Sequence, residues 1–325
     1  MSPSAVVYRA PRWLRGGHAQ TIYPALFLRG RRPRYRRERW DTPDGDFIDL
    51  DFVDAESGRA PRVVLFHGLE GSSSSHYARS LMRVLAHARW GGVVVHFRGC
   101  SGEPNRLPRA YHSGDAAEIG WILARMAQAG GPLYAAGVSL GGNALLKWLG
   151  ESGAEARACL RAAAAVSAPL DLMAAGAALE RGLNLIYTRM FLATLRAKSL
   201  AKLERFPGLF ERERVLAARK LRQFDDAVTA PLHGFRDTDD YWTRASAKPV
   251  LAGVRVPTLV LNAKNDPFLP ARHLPRPQDA SPQVTLEQPG EGGHVGFPSG
   301  AFPGNPDWMP QRLLAFFAEY LPASG

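Results

Sequence analysis

The sequence predicts an α/β protein with a mostly parallel central sheet, helices on both faces of the sheet and an inserted helical segment. Three observations predict it. Short apolar runs rich in β-branched residues alternate with amphipathic stretches of about 10–15 residues. The runs are apolar without interruption, which is typical of strands that are buried on both faces. The alternation stops over residues 171–245, which have helical patterning throughout, and then resumes.

The elements before this alternation are different in kind. Residues 1–40 are rich in Arg, Pro and aromatic residues, and we expect an irregular arm that packs on the core. The turn 43-PDGD-46 contains an Asp-Gly pair, which favours a tight hairpin turn. Strands are therefore predicted at 39–42 and 47–53.

From residue 62 onward, strands and helices alternate. The predicted strands are 62–68, 92–99, 132–139, 161–169, 256–266 and 283–288, and the predicted helices are 76–90, 115–129, 142–151 and 307–321. The clearest helices of the insertion are 185–203 and 213–227. A helical insertion between two sheet strands usually folds as a cap over the edge where the loops emerge. The core is therefore expected at 41–170 and 246–325, with the cap at 171–245.

Composition sets limits on the class of protein. The chain has 325 residues and 46% hydrophobic residues, enough for a large buried core. No apolar run approaches the roughly 18–20 residues that span a bilayer, and the start does not resemble a signal peptide. The two cysteines do not make a disulfide framework, so a cytoplasmic protein is expected. Neither CxxC nor HExxH occurs, so no metal is expected, nor an organic cofactor.

The formal net charge is +11, and one basic cluster stands out, 29-RGRRPRYRRER-39. It could bind an anionic partner, either nucleic acid or a phospholipid surface, or it could be a solvated arm. The absence of a nucleic-acid-binding motif favours the solvated arm. A weak, salt-sensitive attraction of Arg29–Arg39 to a membrane surface remains open. No obligate protein partner is evident.

The stretch 136-AGVSLGGNALL-146 carries the pattern G-x-S-x-G around Ser139. A predicted strand runs directly into it and a predicted helix follows, which is the setting of a nucleophile on a sharp strand-to-helix turn. A glycine-rich turn without chemistry is the alternative. A serine hydroxyl needs a base to remove its proton, so a histidine held by a carboxylate should follow later in the chain.

Among nine histidines, His294 is the best candidate for that base. It lies in the glycine-rich stretch 291-EGGHVGF-297, after the last predicted strand and before the last helix, from which a loop can return to the serine. His233 and His273 lack such a placement.

Asp266 is the best candidate for the carboxylate, because it closes the predicted strand before Pro267 at the edge where sites collect in open α/β sheets. Asp279 and Glu291 are less well placed. Asn265 could cap the same turn as well as Asp266, so the sequence leaves the roles within this pair open.

Two backbone N–H groups are candidates for an oxyanion hole. One belongs to Leu140, directly after the serine, and the other to Leu69 in the loop 66-FHGLEGSSSS-75. In the predicted cap, Tyr187, Met190 and Phe191 are candidate substrate contacts, although such a helical stripe is more often the core of a cap.

Taken together, these motifs resemble the YheT-like subgroup of α/β-hydrolases, which is related to eukaryotic ABHD esterases and to yeast medium-chain ethyl-ester synthases. The resemblance covers nearly the whole chain, through 17-GHAQTIYPAL-26, 67-HGLEGSS-73, 97-FRGCSG-102, 111-YHSGD-115, 138-VSLGGNALLKWLGE-151, 234-GFRDTDDYW-242, 257-PTLVLNAKNDP-267 and 293-GHVGF-297. Trp242 and His96 depart from it, where tyrosine and asparagine are more common. The resemblance implies a Ser139–Asp266–His294 triad and hydrolysis of short- to medium-chain acyl esters.

Three alternatives stay open on the same residues. The acyl group could pass to an alcohol in ester synthesis, or the substrate could be a lipid or phospholipid. The third alternative is a binding protein on a hydrolase scaffold, which the presence of all three triad candidates disfavours.

Overall fold

The computed structural model describes residues 7–28 and 30–322. Eight strands form one sheet in the order β1-β2-β4-β3-β5-β6-β7-β8. β2 is antiparallel to both of its neighbours, and the pairs from β4 to β8 are parallel. The strands are β1 Arg36–Asp41, β2 Phe47–Val53, β3 Arg62–Phe66, β4 Gly91–His96, β5 Leu133–Val138, β6 Ala162–Val166, β7 Thr258–Leu261 and β8 Val284–Glu287. The predicted mostly parallel sheet is confirmed.

Helices cover both faces of the sheet. The described helices are α1 Gly17–Phe27, α2 His76–His87, α3 Ala116–Ala127, α4 Leu140–Ser152, α5 Leu172–Leu179, α6 Leu185–Arg205, α7 Arg212–Ala217, α8 Leu221–Phe224, α9 Ala230–Leu232, α10 Thr238–Ala245 and α11 Trp308–Ala318. α3 and α4 pack on one face and α2 and α11 on the other. None of the helices in the described part of the chain is long and apolar enough to cross a bilayer.

The two cores explain why the strands have uninterrupted apolar sequences. In β3, Val64 and Phe66 belong to one core, whereas Val63 and Leu65 belong to the other. Successive side chains of a strand point to opposite faces, so a strand with both faces covered is apolar at every position.

The insertion between β6 and β7 consists of α5 to α10, which share an apolar cluster of their own. The predicted helix 213–227 is wrong as a single element, because it divides into α7, α8 and a π-helical turn at Asp225–Thr229. In that turn the half-buried Asp225 carboxylate accepts hydrogen bonds from Thr229 Oγ1 and Trp242 Nε1. Trp242, a departure from the resembled family, therefore contributes to packing within the insertion.

The arm is more ordered than the sequence predicts. Residues 17–27 form α1 although Gly17 and Pro24 both disfavour a helix, so the expectation of an irregular arm is wrong there. Close packing explains the glycine, because a Cβ at Gly17 would lie 1.9 Å from the carbonyl oxygen of Asn265. β1 also begins earlier than predicted, at Arg36 within the basic cluster.

Three arginines of the basic cluster are paired with acidic residues in β2 or directly after it. Arg37 forms an ion pair with Asp51 and Arg39 with Asp49, while Arg36 pairs with Asp54. Arg29 lies outside the described residues. The arginines at 31, 32 and 34 are exposed.

The predicted strand 256–266 is too long, since β7 ends at Leu261. Residues 262–266 form a turn in which Asp266 N–H donates to the carbonyl of Ala263, at 3.2 Å. The predicted strand 161–169 also ends early, because Ser167 has a φ of 49° and leaves the extended conformation. The sheet is therefore shorter at this edge, and the turns that leave it have more residues than predicted.

Candidate active site

Ser139 occupies a sharp turn between β5 and α4. Its φ of 53° and ψ of −120° lie in a region that non-glycine residues rarely adopt. The flanking glycines are required sterically. A Cβ at Gly137 would lie 2.5 Å from the carbonyl oxygen of Gly141, and a Cβ at Gly141 would lie 2.4 Å from that of Phe66. The turn therefore depends on both glycines, and it carries the serine into the crevice at the carboxyl ends of the strands.

The structure brings the three predicted residues together. His294 Nε2 lies 2.9 Å from Ser139 Oγ, and His294 Nδ1 lies 2.9 Å from Asp266 Oδ2. With the ring proton on Nδ1, the imidazole donates a hydrogen bond to the carboxylate, and Nε2 accepts a hydrogen bond from the serine hydroxyl. This is the arrangement in which a histidine can act as general base toward serine.

Burial and packing hold this chain of contacts in place. Asp266 is 4% exposed and His294 8% exposed. The second oxygen of the Asp266 carboxylate accepts a hydrogen bond from Phe268 N–H at 2.8 Å. The Phe268 ring stacks on the imidazole of His294, with ring centres 3.9 Å apart. The imidazole is thus limited in both orientation and access to water.

Asn265 has a role of its own. Its side-chain oxygen accepts from Gly293 N–H at 3.0 Å, and its amide donates to Gln20 Oε1 at 2.8 Å. Asn265 thus positions the loop that carries the histidine, whereas Asp266 faces the imidazole.

The other candidates form different contacts, although His233 lines the same cavity as Ser139. Asp279 bonds to Arg276, His273 lies beside Asp171, and His233 packs against His112.

The amino-terminal helix α1 supports the His294 loop, which sequence reasoning did not anticipate. Gln20 is fully buried, and its Oε1 also accepts from Gly292 N–H at 2.9 Å. Thr21 Oγ1 accepts from the backbone N–H of His294 at 2.8 Å. Both residues lie in the motif 17-GHAQTIYPAL-26 that contributes to the family resemblance, and this was the available signal.

Leu69 and Leu140, whose N–H groups are the predicted oxyanion donors, line the same cavity as Ser139. The neighbouring N–H groups are engaged, because Gly68 donates to Tyr77 Oη, Glu70 to Tyr111 Oη and Gly141 to the carbonyl of His67. Within residues 7–28 and 30–322, the N–H groups of Leu69 and Leu140 have no hydrogen-bond acceptor.

Buried side chains shape the loop that carries Leu69. His67 accepts from Phe97 N–H at Nε2, and its Nδ1 lies 2.7 Å from the carbonyl oxygen of Gly68. Burial lowers the pKa of His67 to about 3, so the ring is neutral and donates from Nδ1. Burial also raises the pKa of Tyr111 well above its usual value, so its hydroxyl remains a donor to Glu70 Oε1.

A cavity of about 640 Å³ lies between the core and the insertion and reaches Ser139. Of the three predicted substrate contacts, only Phe191 lines it. Tyr187 is instead buried against Phe268 and near His18, outside the cavity lining. Met190 is 63% exposed, because adjacent residues of a helix differ in direction by about 100° and Met190 therefore points away from the side on which Phe191 lines the cavity.

Several charged residues also line the cavity, and two of them, Lys198 and Glu70, form an ion pair close to Leu69. Lys198 Nζ of α6 lies 2.8 Å from Glu70 Oε2 and 3.6 Å from Cys100 Sγ. Since Glu70 follows Leu69, this ion pair joins the insertion to the loop that holds one of the two free N–H groups. His96, the other departure from the family pattern, pairs with Asp51 in the sheet.

Comparison with known proteins identifies the family. A model of the alpha/beta hydrolase fold matches residues 61–301. This chain is an α/β hydrolase. YheT of Escherichia coli (strain K12), which is named provisionally as an esterase, is 40% identical over 312 residues, or 94% of this chain and 91% of that protein. Phospholipase ABHD3 of Mus musculus is 32% identical over 315 residues, or 94% and 76% of the two chains.

Solved structures agree with the fold of this α/β hydrolase. The Pyrococcus furiosus esterase Pf2001 superposes with a TM-score of 0.54 at 15% identity, covering 89% of this chain and 92% of that one. VinJ superposes with a TM-score of 0.56 at 18% identity, covering 89% and 100%. The predicted fold and the YheT-like resemblance are confirmed, and so is the predicted enzyme class, a carboxylic ester hydrolase.

Proposed function

We propose that this α/β hydrolase cleaves short- to medium-chain acyl esters through an acyl-enzyme formed on Ser139. The observation that carries the proposal is the chain of two 2.9 Å contacts from Ser139 through His294 to Asp266, opening onto an apolar cavity. A volume of about 640 Å³ lies within the range of pockets that hold small organic ligands.

The first half of the cycle forms the acyl-enzyme. Ser139 Oγ attacks the ester carbonyl carbon while His294 Nε2 takes the hydroxyl proton. The Asp266 carboxylate holds the Nδ1 proton and stabilises the imidazolium. The carbonyl oxygen becomes an oxyanion that the N–H groups of Leu69 and Leu140 stabilise, with the amino-terminal end of α4 adding its dipole. As the bond to the leaving oxygen breaks, His294 returns the proton to the alcohol.

The second half releases the acyl group. Water donates a proton to His294 Nε2 and attacks the acyl carbonyl, and a second tetrahedral intermediate collapses to the carboxylic acid. The proton returns to Ser139 Oγ, so the enzyme is regenerated. An alcohol in place of water would give ester synthesis by the same steps, and product analysis with added ethanol measures that ratio.

The decisive experiment compares Ser139→Ala with Ser74→Ala on p-nitrophenyl butyrate. Ser74 is exposed in the serine-rich loop near the site, so its replacement is a matched control. We expect Ser139→Ala to lower kcat by at least about 10³-fold and to abolish labelling by a fluorophosphonate probe. Ser74→Ala should behave like the wild type. Retention of most activity or of labelling in Ser139→Ala would disprove the acyl-enzyme on this residue.

A second candidate substrate class is a phospholipid ester, which the name of the Mus musculus relative supports. Release of fatty acid and lysophospholipid from phosphatidylcholine, dependent on Ser139, would favour it over small soluble esters.

A further inference from the structure

Helix α1 buries polar side chains and exposes apolar ones, which is the opposite of an ordinary surface helix. Its buried residues are Gln20, Thr21 and Pro24, so two of the three carry polar side chains. Its exposed large apolar residues include Leu26, which is 53% exposed, and Phe27, which is 68% exposed. A surface helix normally buries its apolar stripe and exposes polar residues. The polar inner side is explained by the His294 loop, whereas the apolar outer side has no such explanation within the folded chain.

The outer side of α1 continues into a row of aromatic rings. Phe27 contacts Tyr23, with ring centres 5.1 Å apart, and Tyr23 contacts Trp13, also at 5.1 Å. Trp13 in turn contacts Phe302, at 5.4 Å, and Phe302 is 74% exposed. The polar atoms of these rings are satisfied at the surface, because Trp13 Nε1 donates to the carbonyl of Gly300. Rings of this kind, apolar in body and polar at one end, favour the boundary between water and lipid.

On the other side, the exposed apolar surface extends toward the insertion. His18 of α1 stacks on Tyr187 of α6, with ring centres 5.8 Å apart. Next to Tyr187, Ile186 and Met190 are exposed four residues apart on one side of α6, and Leu183 is exposed in the turn just before this helix. Contiguous apolar surface of this kind marks an interaction site.

The charge around this surface indicates the partner. Residues 1–37 contain nine arginines and neither Asp nor Glu. Arg12, Arg15, Arg31 and Arg32 are exposed near α1, and Arg189 is exposed on α6. A second copy of this chain would place like charges against each other, whereas a surface of anionic phospholipids is complementary to them.

We propose that α1, residues 300–303 and the start of α6 form a docking face for an anionic phospholipid bilayer. The aromatic rings and apolar side chains enter the headgroup region to a shallow depth, and the arginines contact lipid phosphates. This face is distinct from the catalytic site, and its function does not depend on the ester hydrolysis proposed above.

The test is flotation of the full chain with vesicles of phosphatidylcholine containing about one third phosphatidylglycerol, against vesicles of phosphatidylcholine alone. We expect binding to the anionic vesicles that weakens as salt rises. Leu26→Ser combined with Phe27→Ser should weaken binding by about tenfold or more, because each exposed apolar side chain contributes through burial in lipid. Leu216→Ser, which alters an exposed leucine on α7 outside the docking face, is the matched control and should bind like the wild type.

Hydrolysis of a soluble p-nitrophenyl ester serves as the folding control. We expect the double variant and Leu216→Ser to hydrolyse this ester at the wild-type rate. Failure of the wild type to bind anionic vesicles at low salt would overturn the proposal. So would equal binding by the double variant. A dimer in sedimentation velocity that the double variant loses would assign the face to a second copy and would also overturn it.

Discussion

Two regions outside the α/β alternation reach the candidate active site, and they contact it in different ways. The arm helix α1 contacts the His294 loop through two buried side chains, Gln20 and Thr21, which accept hydrogen bonds from backbone N–H groups of that loop. The insertion contacts the same side of the site mainly through apolar rings, with Tyr187 and Phe191 against Phe268. Directional contacts set the position of a loop closely, whereas apolar contacts set the shape of a space.

This difference predicts a division of roles. Changes in the arm should alter the placement of the imidazole, and hence kcat for every ester. Changes in the insertion should alter the space for the acyl chain, and hence the relative kcat/KM of different esters.

The largest effect is expected from Gln20→Ala. It removes the acceptor for Gly292 N–H and Asn265 Nδ2, leaving both without their partner beside the His294 loop. We expect kcat to fall by about 10–100-fold with little change in KM, since misplacement of a catalytic group by about 1 Å has such a cost. The measurement is steady-state kinetics on a short and a long p-nitrophenyl ester, well below the melting temperature.

Two controls separate positioning from general destabilisation. Gln311→Ala removes an exposed glutamine of α11 and should leave kcat unchanged. Gln20→Ala and Asn265→Ala should be non-additive, because both remove one shared network. A normal kcat in Gln20→Ala, or additive losses in the double variant, would show that the arm does not position the histidine.

An intermediate effect is expected from Phe191→Trp in the insertion. The larger ring reduces the cavity, so kcat/KM for long acyl chains should fall by roughly tenfold relative to short ones. Met190→Trp is the matched control, because the adjacent methionine points to solvent and should leave the chain-length profile unchanged. An equal loss of kcat on all esters in Phe191→Trp would contradict the division of roles.

The smallest effect is expected from Lys198→Met. The Lys198–Glu70 ion pair joins the insertion to the loop that carries Leu69. The lysine side chain is 42% exposed, and Glu70, which is 9% exposed, keeps a hydrogen bond from Tyr111 when the lysine is removed. Ion pairs with a solvent-exposed partner contribute about 0–1 kcal/mol, so kcat should fall by less than about fivefold. A loss as large as that in Gln20→Ala would mean that the insertion also positions the reacting groups. Steady-state kinetics on the same two esters measures it.

Much of the site followed from local sequence. The glycines around Ser139 predict a turn that only small residues permit, and the order of serine, aspartate and histidine placed the other two residues at the same sheet edge. The roles of Asn265 and Asp266 were left open, because adjacent residues in a turn differ in direction only once the loop that they face is in place. That Phe191 lines the cavity and Tyr187 and Met190 do not was left open for a related reason, since helical spacing does not reveal which side of α6 faces the cavity.

The sequence by itself determined the alternation of strands and helices and the conformation of the serine turn, because both arise from contacts within a few residues. Tertiary structure alone decided that α1 forms despite Pro24 and supports the His294 loop. Gln20 and Gly292 are 272 residues apart, and their hydrogen bond exists only after the sheet has brought the two ends of the chain together. The burial of polar side chains on α1 has the same origin, because the side of the helix that is buried depends on the loop against which it packs.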